Sequence, residues 1–248
     1  MIKPVKGSSD YGVDAPPAIR NLTVFSLTSI FAGIVLYLTL RSDSSWIATF
    51  LLGCGLLVGG CLLVTTALLV WSSKTGKLKY REQLIDSLAL HGAETVLDVG
   101  CGRGLLLVAA ARQLTTGKAI GVDLWQNADL SGNHPEAMLA NALAEGVAER
   151  VRLETADMRA LPFENQTIDI VVSSLAIHNI PDKEGRARAV REIARVLKPD
   201  GQLALLDIRC TGEYVQVLRA LGWPDPQRSG MVFQIFPPVR VVTGKKPA

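Results

Sequence analysis

The sequence predicts an α/β domain built on a mainly parallel sheet and preceded by a hairpin of two membrane-spanning helices. Three observations predict this fold class. Short apolar runs alternate with helical segments from residue 81 onwards, two long uncharged stretches precede them, and basic residues flank those stretches. A chain of 248 residues is long enough for one domain of this type with a sizeable core and an additional segment.

Two uncharged stretches near the beginning carry the apolar excess of the chain. Residues 21–40 contain no charged side chain, and neither do residues 44–73, whose apolar part lies between Trp46 and Trp71. A helix needs about 20 apolar residues to cross a bilayer, and tryptophans near the ends of such a helix are typical of the membrane interface. We therefore predict transmembrane helices at about 21–40 and 46–71.

Charge indicates how this hairpin is oriented. Residues 1–81 contain eight Lys and Arg against three Asp and Glu, whereas the remainder contains 18 against 20. The basic excess is therefore a flank of the helices, and we expect no nucleic-acid partner. Because basic residues that flank membrane helices face the cytoplasm, we expect an integral membrane protein with its α/β domain on the cytoplasmic side. The basic residues after the second helix are also candidate contacts for anionic lipid; they are Lys74, Lys77, Lys79 and Arg81.

Composition sets the remaining boundaries. Residues 1–20 are predicted to be a flexible tail, residues 21–71 the two helices, residues 72–80 a polar linker, and residues 81–248 the α/β domain. Two alternatives for the helices stay open: a secretory signal, which has one apolar core of about 7–15 residues, and buried helices of a soluble protein.

Glycines of the second helix are expected to pack on the first helix at Gly33; they are Gly53, Gly55, Gly59 and Gly60.

The α/β part alternates between two kinds of segment. Strands are predicted at 95–100, 119–124, 151–157, 168–175 and 202–208, and helices at 80–90, 104–114, about 133–145, 183–197 and 212–221. This alternation predicts parallel strands joined by right-handed crossovers. The last two apolar runs, 231–236 and 239–244, are close enough to pair antiparallel.

A glycine-rich loop lies where the first strand meets the first helix of this domain. It is Asp98-Val-Gly-Cys-Gly-Arg-Gly104, and such glycines allow a ligand to approach the backbone closely. Asp123 ends the second strand, where a carboxylate can accept both hydroxyl hydrogens of a ribose. Asp157 ends the third strand, where it either overlooks an adenine edge or caps a turn. Because ligands of an open parallel sheet bind beyond the carboxyl ends of its strands, we expect one crevice.

Several longer motifs occur in a fixed order. They are VLDVGCGRG, IGVDLW, TADMRALPFENQTIDIVVSSLAIHNI and EIARVLKPDGQLALLDI. With them, residues 80–245 resemble the class I S-adenosylmethionine-dependent methyltransferases, especially those that act on quinones and small molecules. The resemblance implies a Rossmann-like seven-stranded sheet, with helices on both faces and an antiparallel last strand. It also implies S-adenosyl-L-methionine as the cofactor, bound by Asp98, Gly100, Cys101, Gly102, Gly104, Asp123, Leu124, Asp157, Met158, Ser174 and Leu175.

Other residues near the strand ends are weaker candidates. His178 follows the fourth strand and is the candidate catalytic base, because histidine can take a proton near neutral pH; a capping or packing role is the alternative. Trp125 is either a wall of the pocket or a packing residue, and Asn133 is a candidate helix cap. Four dispersed cysteines do not predict disulfides, and no Cys/His spacing predicts a metal.

These features together predict a membrane-anchored methyltransferase. The anchor favours a small, hydrophobic or lipid-like acceptor, and the tail or the helix at 80–90 is the candidate cover of the site. A nucleotide-linked oxidoreductase is disfavoured because residues 100–104 read G-x-G-x-G rather than G-x-G-x-x-G. A membrane-tethered sensor or scaffold that binds the cofactor without transfer stays the alternative. The sequence leaves the identity of the acceptor open.

Overall fold

The computed structural model describes residues 9–126 and 130–248. Its strands are β1 (Thr95–Val99), β2 (Lys118–Asp123), β3 (Val151–Thr155), β4 (Ile168–Ser174), β5 (Leu197–Asp207), β6 (Gln227–Arg228) and β7 (Arg240–Lys245). Its α-helices are α1 (Pro16–Leu40), α2 (Ser45–Trp71), α3 (Lys77–Asp86), α4 (Leu105–Gln113), α5 (Pro135–Ala144), α6 (Lys183–Val196) and α7 (Thr211–Ala220).

The strands form one seven-stranded sheet in the order β3-β2-β1-β4-β5-β7-β6. Strands β1 to β5 run parallel to one another. Strand β7 runs antiparallel to its neighbours β5 and β6. The predicted mainly parallel sheet with an antiparallel last strand is therefore confirmed.

Side chains of the central strands are buried on both faces of the sheet. Val96 and Val172 belong to the apolar core that includes α4, whereas Leu97 and Val171 belong to the core that includes α6 and α7. Successive side chains of a strand point to opposite faces, so a strand that is apolar at every position needs a helix on each side. The carboxyl ends of β1, β2, β4 and β5 therefore meet at one edge of a covered sheet.

The end of the chain differs from the prediction. Residues 231–236 do not form a strand. The strand that pairs with β7 on this side is β6, and the predicted pairing is reduced to one isolated bridge between Val232 and Val239. Pro237 and Pro238 follow the run directly, and proline cannot donate to a strand ladder. The segment of residues 229–239, which we call the β6–β7 loop, instead contacts the end of α2.

Helices α1 and α2 pack against each other along small residues. A Cβ added at Gly55 would lie 2.9 Å from the Cα of Gly33, and the Ser26 hydroxyl donates to the Gly59 carbonyl at 2.7 Å. The prediction of glycine packing on α1 is correct for Gly55, which lies against Gly33, and for Gly59, which lies against Ser26 and Ile30 instead of Gly33. It is wrong for Gly53 and Gly60, where an added Cβ would have no described atom within 4 Å apart from the local backbone of α2 itself.

The predicted linker at 72–80 is helical. A π-helical turn at Ser72–Gly76 joins α2 to α3, so one helical segment runs from Ser45 to Asp86. The polar side chains that suggested a linker include Lys77, which is buried and donates to Asp14 at 3.0 Å. Burying a charge is tolerated when a partner of opposite charge satisfies it, and from sequence alone Asp14 is too distant to suggest this pair.

The predicted flexible tail is also ordered where it is described. Residues 1–8 lie outside the described residues, α1 begins at Pro16, and Tyr11 is only 5% exposed. The Arg81 guanidinium lies 4.7 Å from the centre of the Tyr11 ring and donates to Glu145. Lys77 and Arg81 are thus buried in these contacts, whereas Lys74 and Lys79 are exposed, Lys74 in an ion pair with Asp10 at 3.0 Å.

Candidate active site

A cavity of about 540 Å³ lies beyond the carboxyl ends of β1, β2, β4 and β5. It brings together ten of the residues predicted to bind the cofactor, and also His178; the ten are Asp98, Gly100, Cys101, Gly102, Asp123, Leu124, Asp157, Met158, Ser174 and Leu175. Gly104 does not line the cavity. It adopts φ +83° at the start of α4, where an added Cβ would lie 3.1 Å from Met138, so it shapes the turn behind the cavity.

The glycine loop is tied to the end of β2. The amides of Gly100 and Cys101 donate to the Val122 carbonyl at 2.8 and 3.1 Å. Gly100 adopts φ +74°, and a Cβ there would collide with the Cβ of Ala176. Both conditions require glycine. The thiol of Cys101 is buried, and burial raises its pKa, so this residue contributes to the loop through its backbone.

Asp98 is a buried carboxyl group with one oxygen satisfied. Its Oδ2 accepts from the Leu107 amide at 2.9 Å, whereas Oδ1 is buried and no described residue donates to it. Burial, and to a lesser degree the charge of Asp123, raises the pKa of Asp98 to about 8. A buried oxygen without a donor is costly. A ligand that brings an ammonium group to Asp98 would satisfy that oxygen and favour the ionised carboxylate.

Asp123 is held by three donors at the end of β2. Its Oδ2 accepts from the Gly102 amide at 2.8 Å, and its Oδ1 accepts from the Trp125 amide at 2.7 Å and from the Asn133 side chain at 3.3 Å. Each carboxylate oxygen can accept more than one hydrogen bond, so the fixed group can still receive ligand hydroxyls. Asn133 is therefore not the cap of α5; His134 caps it by accepting from the Ala137 amide at 3.2 Å.

Asp157 has the turn geometry that the sequence left open. Its Oδ1 accepts from the Arg159 amide at 2.8 Å, and its Oδ2 lies 2.6 Å from the Arg159 guanidinium, which holds the pKa of Asp157 below its usual range. Contact with an adenine ring stays a prediction for Asp157. The Trp125 indole donates to Thr155 at 2.8 Å and does not line the cavity, which favours its packing role.

His178 lies on a short turn after β4, with its side chain 11% exposed at the cavity. Its Nδ1 contacts the carboxylate of Asp207, the last residue of β5. Asp207 is buried, and it also accepts from the His178 amide at 3.1 Å and from the Tyr214 hydroxyl at 2.9 Å. Burial raises the pKa of Tyr214, so its hydroxyl remains a donor.

Sequence reasoning missed Asp207 and Tyr214. A signal for Asp207 was present, because LLDI places an aspartate at the end of a strand, as at Asp98 and Asp123. The reasoning also missed the far wall of the cavity. Its residues come from the start of α1, the last turn of α2 and the β6–β7 loop: Ala15, Pro17, Ala18, Leu69, Ile235, Phe236 and Pro237. Part of the segment expected to be a tail therefore does cover the site, whereas Lys77 is the α3 residue that reaches it.

Residues 97–205 match a family model described as a methyltransferase domain. This range begins in β1 and ends in β5, and it contains the glycine loop, Asp123 and His178. Among curated proteins, the chain is similar to the demethylmenaquinone methyltransferase of Lactobacillus johnsonii, with 29% identity over 161 residues. The alignment covers 64% of this chain and 58% of that enzyme, so the chain spans little more than half of its length.

Solved structures have the same fold. The YcgJ protein of Bacillus subtilis has a TM-score of 0.55 at 19% identity, and the match covers 68% of this chain and 99% of that one. The geranyl diphosphate C-methyltransferase of Streptomyces coelicolor, solved with Mg²⁺, geranyl diphosphate and S-adenosyl-L-homocysteine, has a TM-score of 0.53 at 16% identity, covering 68% of this chain and 78% of that one. These similarities confirm the Rossmann-like α/β fold, and the family match supports the predicted enzyme class and cofactor.

Proposed function

We propose that this chain is an S-adenosylmethionine-dependent methyltransferase, anchored in a membrane by α1 and α2, that methylates a small apolar acceptor. The observation that carries the proposal is that one cavity at the strand ends brings the required groups together. It combines a loop that only glycine permits at Gly100, a carboxylate fixed at Asp123 and an oxygen of Asp98 without a described donor. The match of residues 97–205 to a methyltransferase domain supports it.

The cavity residues fit the parts of this cofactor. Asp98 would hold the methionine ammonium group beside the glycine loop, and Asp123 would accept the ribose hydroxyls. Leu124 is 47% exposed and, with Met158, offers an apolar surface to adenine. When bound, the cofactor supplies a methyl group activated by a sulfonium. The protein then has to align the acceptor with that group and exclude water.

His178 is the proposed base for an acceptor that must lose a proton. With Nδ1 turned to Asp207, the other ring nitrogen, Nε2, is the one that a ligand in the cavity can reach. Asp207 would fix the ring orientation and stabilise the imidazolium, as a buried carboxylate does beside a catalytic histidine. Tyr214 and the His178 amide hold Asp207 in turn, so the base would be oriented before the acceptor binds.

Membrane anchoring rests on the character of the two long helices. The segments Pro16–Leu40 and Ser45–Asp86 have mean hydropathies of 1.9 and 2.4 in their most apolar windows, and only 11% of each window is buried. Such exposure does not fit the core helices of a soluble protein. Both ends of the hairpin that join the α/β domain lie on one side, and the basic flanks favour the cytoplasmic side.

The nature of the acceptor is supported by the cavity and by the relatives. The far wall of the cavity has an apolar part, which includes Ala18, Leu69 and Phe236, next to the ion pair of Lys77 with Asp14. One named relative is a demethylmenaquinone methyltransferase. A structural neighbour was solved with geranyl diphosphate. A quinone and an isoprenyl compound are both partly apolar, and we propose the same class of acceptor here.

A transfer assay tests this function. The purified full chain in detergent is incubated with methyl-labelled S-adenosylmethionine and a total lipid extract, and the label is followed into the lipid fraction. We expect transfer with the native chain, loss of transfer with Asp123→Ala and normal transfer with Asp225→Ala, a matched change at an exposed aspartate. Cofactor binding without transfer to any lipid, small molecule or protein would instead favour a sensor.

A further inference from the structure

The cavity is enclosed on its far side by parts of the chain that adjoin the membrane helices. The first turns of α1 contribute Pro17 and Ala18, the last turn of α2 contributes Leu69, and the β6–β7 loop contributes Ile235 and Phe236. All five side chains are apolar. A molecule that reaches from the strand ends to this wall therefore passes from polar to apolar surroundings.

The β6–β7 loop is fixed to the end of α2. The Phe236 amide donates to the Ser72 hydroxyl at 2.8 Å. The carbonyl of Gln234 approaches Gly76 so closely that any Cβ at Gly76 would collide with it. If α2 spans a bilayer, the loop is thus held at the depth where the helix leaves the bilayer. Trp71, which is 46% exposed at this end of α2, marks the same level.

The β6–β7 loop also carries large apolar side chains that are exposed. Phe233 is 73% exposed and Met231 is 53% exposed. Single exposed apolar residues are ordinary on a soluble surface. Here they belong to the loop that contacts the end of α2 through Gln234 and Phe236, and an exposed aromatic side chain close in sequence to such a contact is suited to the membrane interface. The occupant that matches this surface is the bilayer itself.

The polar groups at this end of the cavity balance each other. Lys77 donates to Asp14 at 3.0 Å and also to the Tyr11 carbonyl at 3.1 Å. A closed ion pair offers little net charge to a ligand. The chemistry of this end therefore suits a neutral head group with a long apolar tail better than it suits a free anion or cation.

We propose that the β6–β7 loop and the adjoining ends of α1 and α2 form an entrance from the bilayer, through which the head of a lipid-tailed acceptor enters while its tail stays among the lipids. This inference rests on the proposed function and specifies its acceptor and its route. It predicts that Met231 and Phe233 contact acyl chains, and that replacing them harms the use of tailed acceptors alone.

Lipid contact is tested without any need for activity. The full chain is reconstituted in phosphatidylcholine vesicles that contain a lipid with a photoreactive acyl chain, and labelled peptides are identified by mass spectrometry. We expect labelling at 231–233 as well as in α2, and loss of the loop label in the double variant Met231→Asp, Phe233→Asp. Labelling of α2 without the loop would overturn the proposal.

The proposed entry from the bilayer is tested with two acceptor probes that have the same reacting group. One is a hydroquinone with a polyprenyl tail in vesicles, and the other is the same hydroquinone without the tail in water. We expect the double variant to lose about tenfold or more in transfer to the tailed probe and to stay within about twofold on the short probe. The control variant Leu221→Asp, at an exposed leucine after α7 that does not line the cavity, should change neither.

The outcomes separate the two proposals. Equal loss on both probes, or no loss on either, would overturn the entrance. Transfer by the native chain to neither probe, with cofactor bound, would count against the proposed function. In that case the labelling of residues 231–233 still decides whether the loop lies in the bilayer.

Discussion

The two walls of the cavity differ in chemistry and in origin. The strand-end wall carries Asp98 and Asp123, each held by backbone amides at 2.7–2.9 Å. The far wall, which we call the helix-end wall because it comes from the ends of α1 and α2 and the β6–β7 loop, consists of apolar residues such as Ala18, Leu69 and Phe236 next to the Lys77–Asp14 ion pair. Directed hydrogen bonds suit a ligand of fixed shape and charge, whereas an apolar wall suits variable tails and the exclusion of water. The comparison suggests that one wall selects the cofactor and the other admits the acceptor.

The largest effect on turnover is expected at Asp207, where a change should lower kcat without weakening cofactor binding. Asp207 touches His178 and not the proposed cofactor site, so Asp207→Asn should lower kcat by about 100-fold, since general base catalysis is worth at least that much. The Kd of the cofactor should stay within about twofold. Both are measured on the same preparation, by transfer kinetics and by calorimetry.

Three checks keep this test specific. Asp225→Asn should leave kcat unchanged, and the Tm of Asp207→Asn shows whether the loss reflects unfolding. Because Asp207 would act through His178, its replacement should also alter the pH dependence of kcat. An unchanged kcat would exclude the positioning role, and so would a parallel fall in cofactor affinity.

The strand-end wall should be sensitive to a single methyl group. Gly100→Ala adds a Cβ at φ +74° that collides with Ala176, whereas Gly146→Ala adds one at φ +72° with no described atom within 4 Å. Both changes carry the backbone cost of about 1–2 kcal/mol, and only the first adds overpacking of about 1–3 kcal/mol. Denaturant unfolding should place Gly100→Ala about 2 kcal/mol below Gly146→Ala, with cofactor binding weakened only in Gly100→Ala. Equal free energies of unfolding for the two variants would show that Ala176 shifts to make room for the added methyl group.

Cofactor affinity should depend on pH through Asp98. Its pKa is about 8 in the folded chain because of burial, and an ammonium beside it favours the ionised form. Below that pKa, binding must release a proton, so affinity should rise by up to about tenfold per pH unit as pH rises to 7.5. Calorimetric titrations from pH 5.5 to 7.5 measure this slope, and Asp98→Asn should abolish it. A flat native profile would contradict the pairing of Asp98 with the ammonium.

The same shift affects folding in the opposite direction. The folded pKa of Asp98 lies above its ordinary value of 3.8, so the folded chain holds this proton to higher pH than the unfolded chain does. The contribution of Asp98 to stability is then lost as pH rises from about 4 to about 8. Without cofactor, Asp98→Asn should flatten this part of the stability profile, as followed by Tm.

The smallest effect is expected at Trp125. Its indole donates to Thr155 and does not line the cavity. Trp125→Phe should leave cofactor affinity within about twofold and should cost about 1 kcal/mol of unfolding free energy through the lost hydrogen bond. A large loss of cofactor affinity with an unchanged free energy of unfolding would contradict the packing role and show that Trp125 contacts the cofactor.

The strand-end wall was accessible from the sequence because its signals are local. Asp98, Asp123 and the glycines lie at strand ends that apolar runs define by themselves. Asp207 was missed because its role depends on His178, 29 residues away in sequence, and only the fold brings the two together.

The helix-end wall was not accessible in the same way. Ala18 and Phe236 belong to opposite ends of the chain, and the sequence pattern of neither segment indicates that the two lie close together in the fold. The linker at 72–80 was misassigned for a related reason, because Lys77 and Arg81 look solvent-exposed until Asp14 and Glu145 are placed beside them. Sequence patterns predict local structure well, but they do not show which distant residue pairs with a buried charge.

Titration of the purified full chain with S-adenosylmethionine tests the central claim most directly. A single site per chain is expected, with an affinity that falls about 100-fold in Asp123→Ala, since two hydrogen bonds to a charged acceptor are worth about 3 kcal/mol or more. Asp225→Ala should bind as the native chain does. Absence of binding by the native chain, or binding that Asp123→Ala leaves unchanged, would contradict the assignment of this cavity to the cofactor.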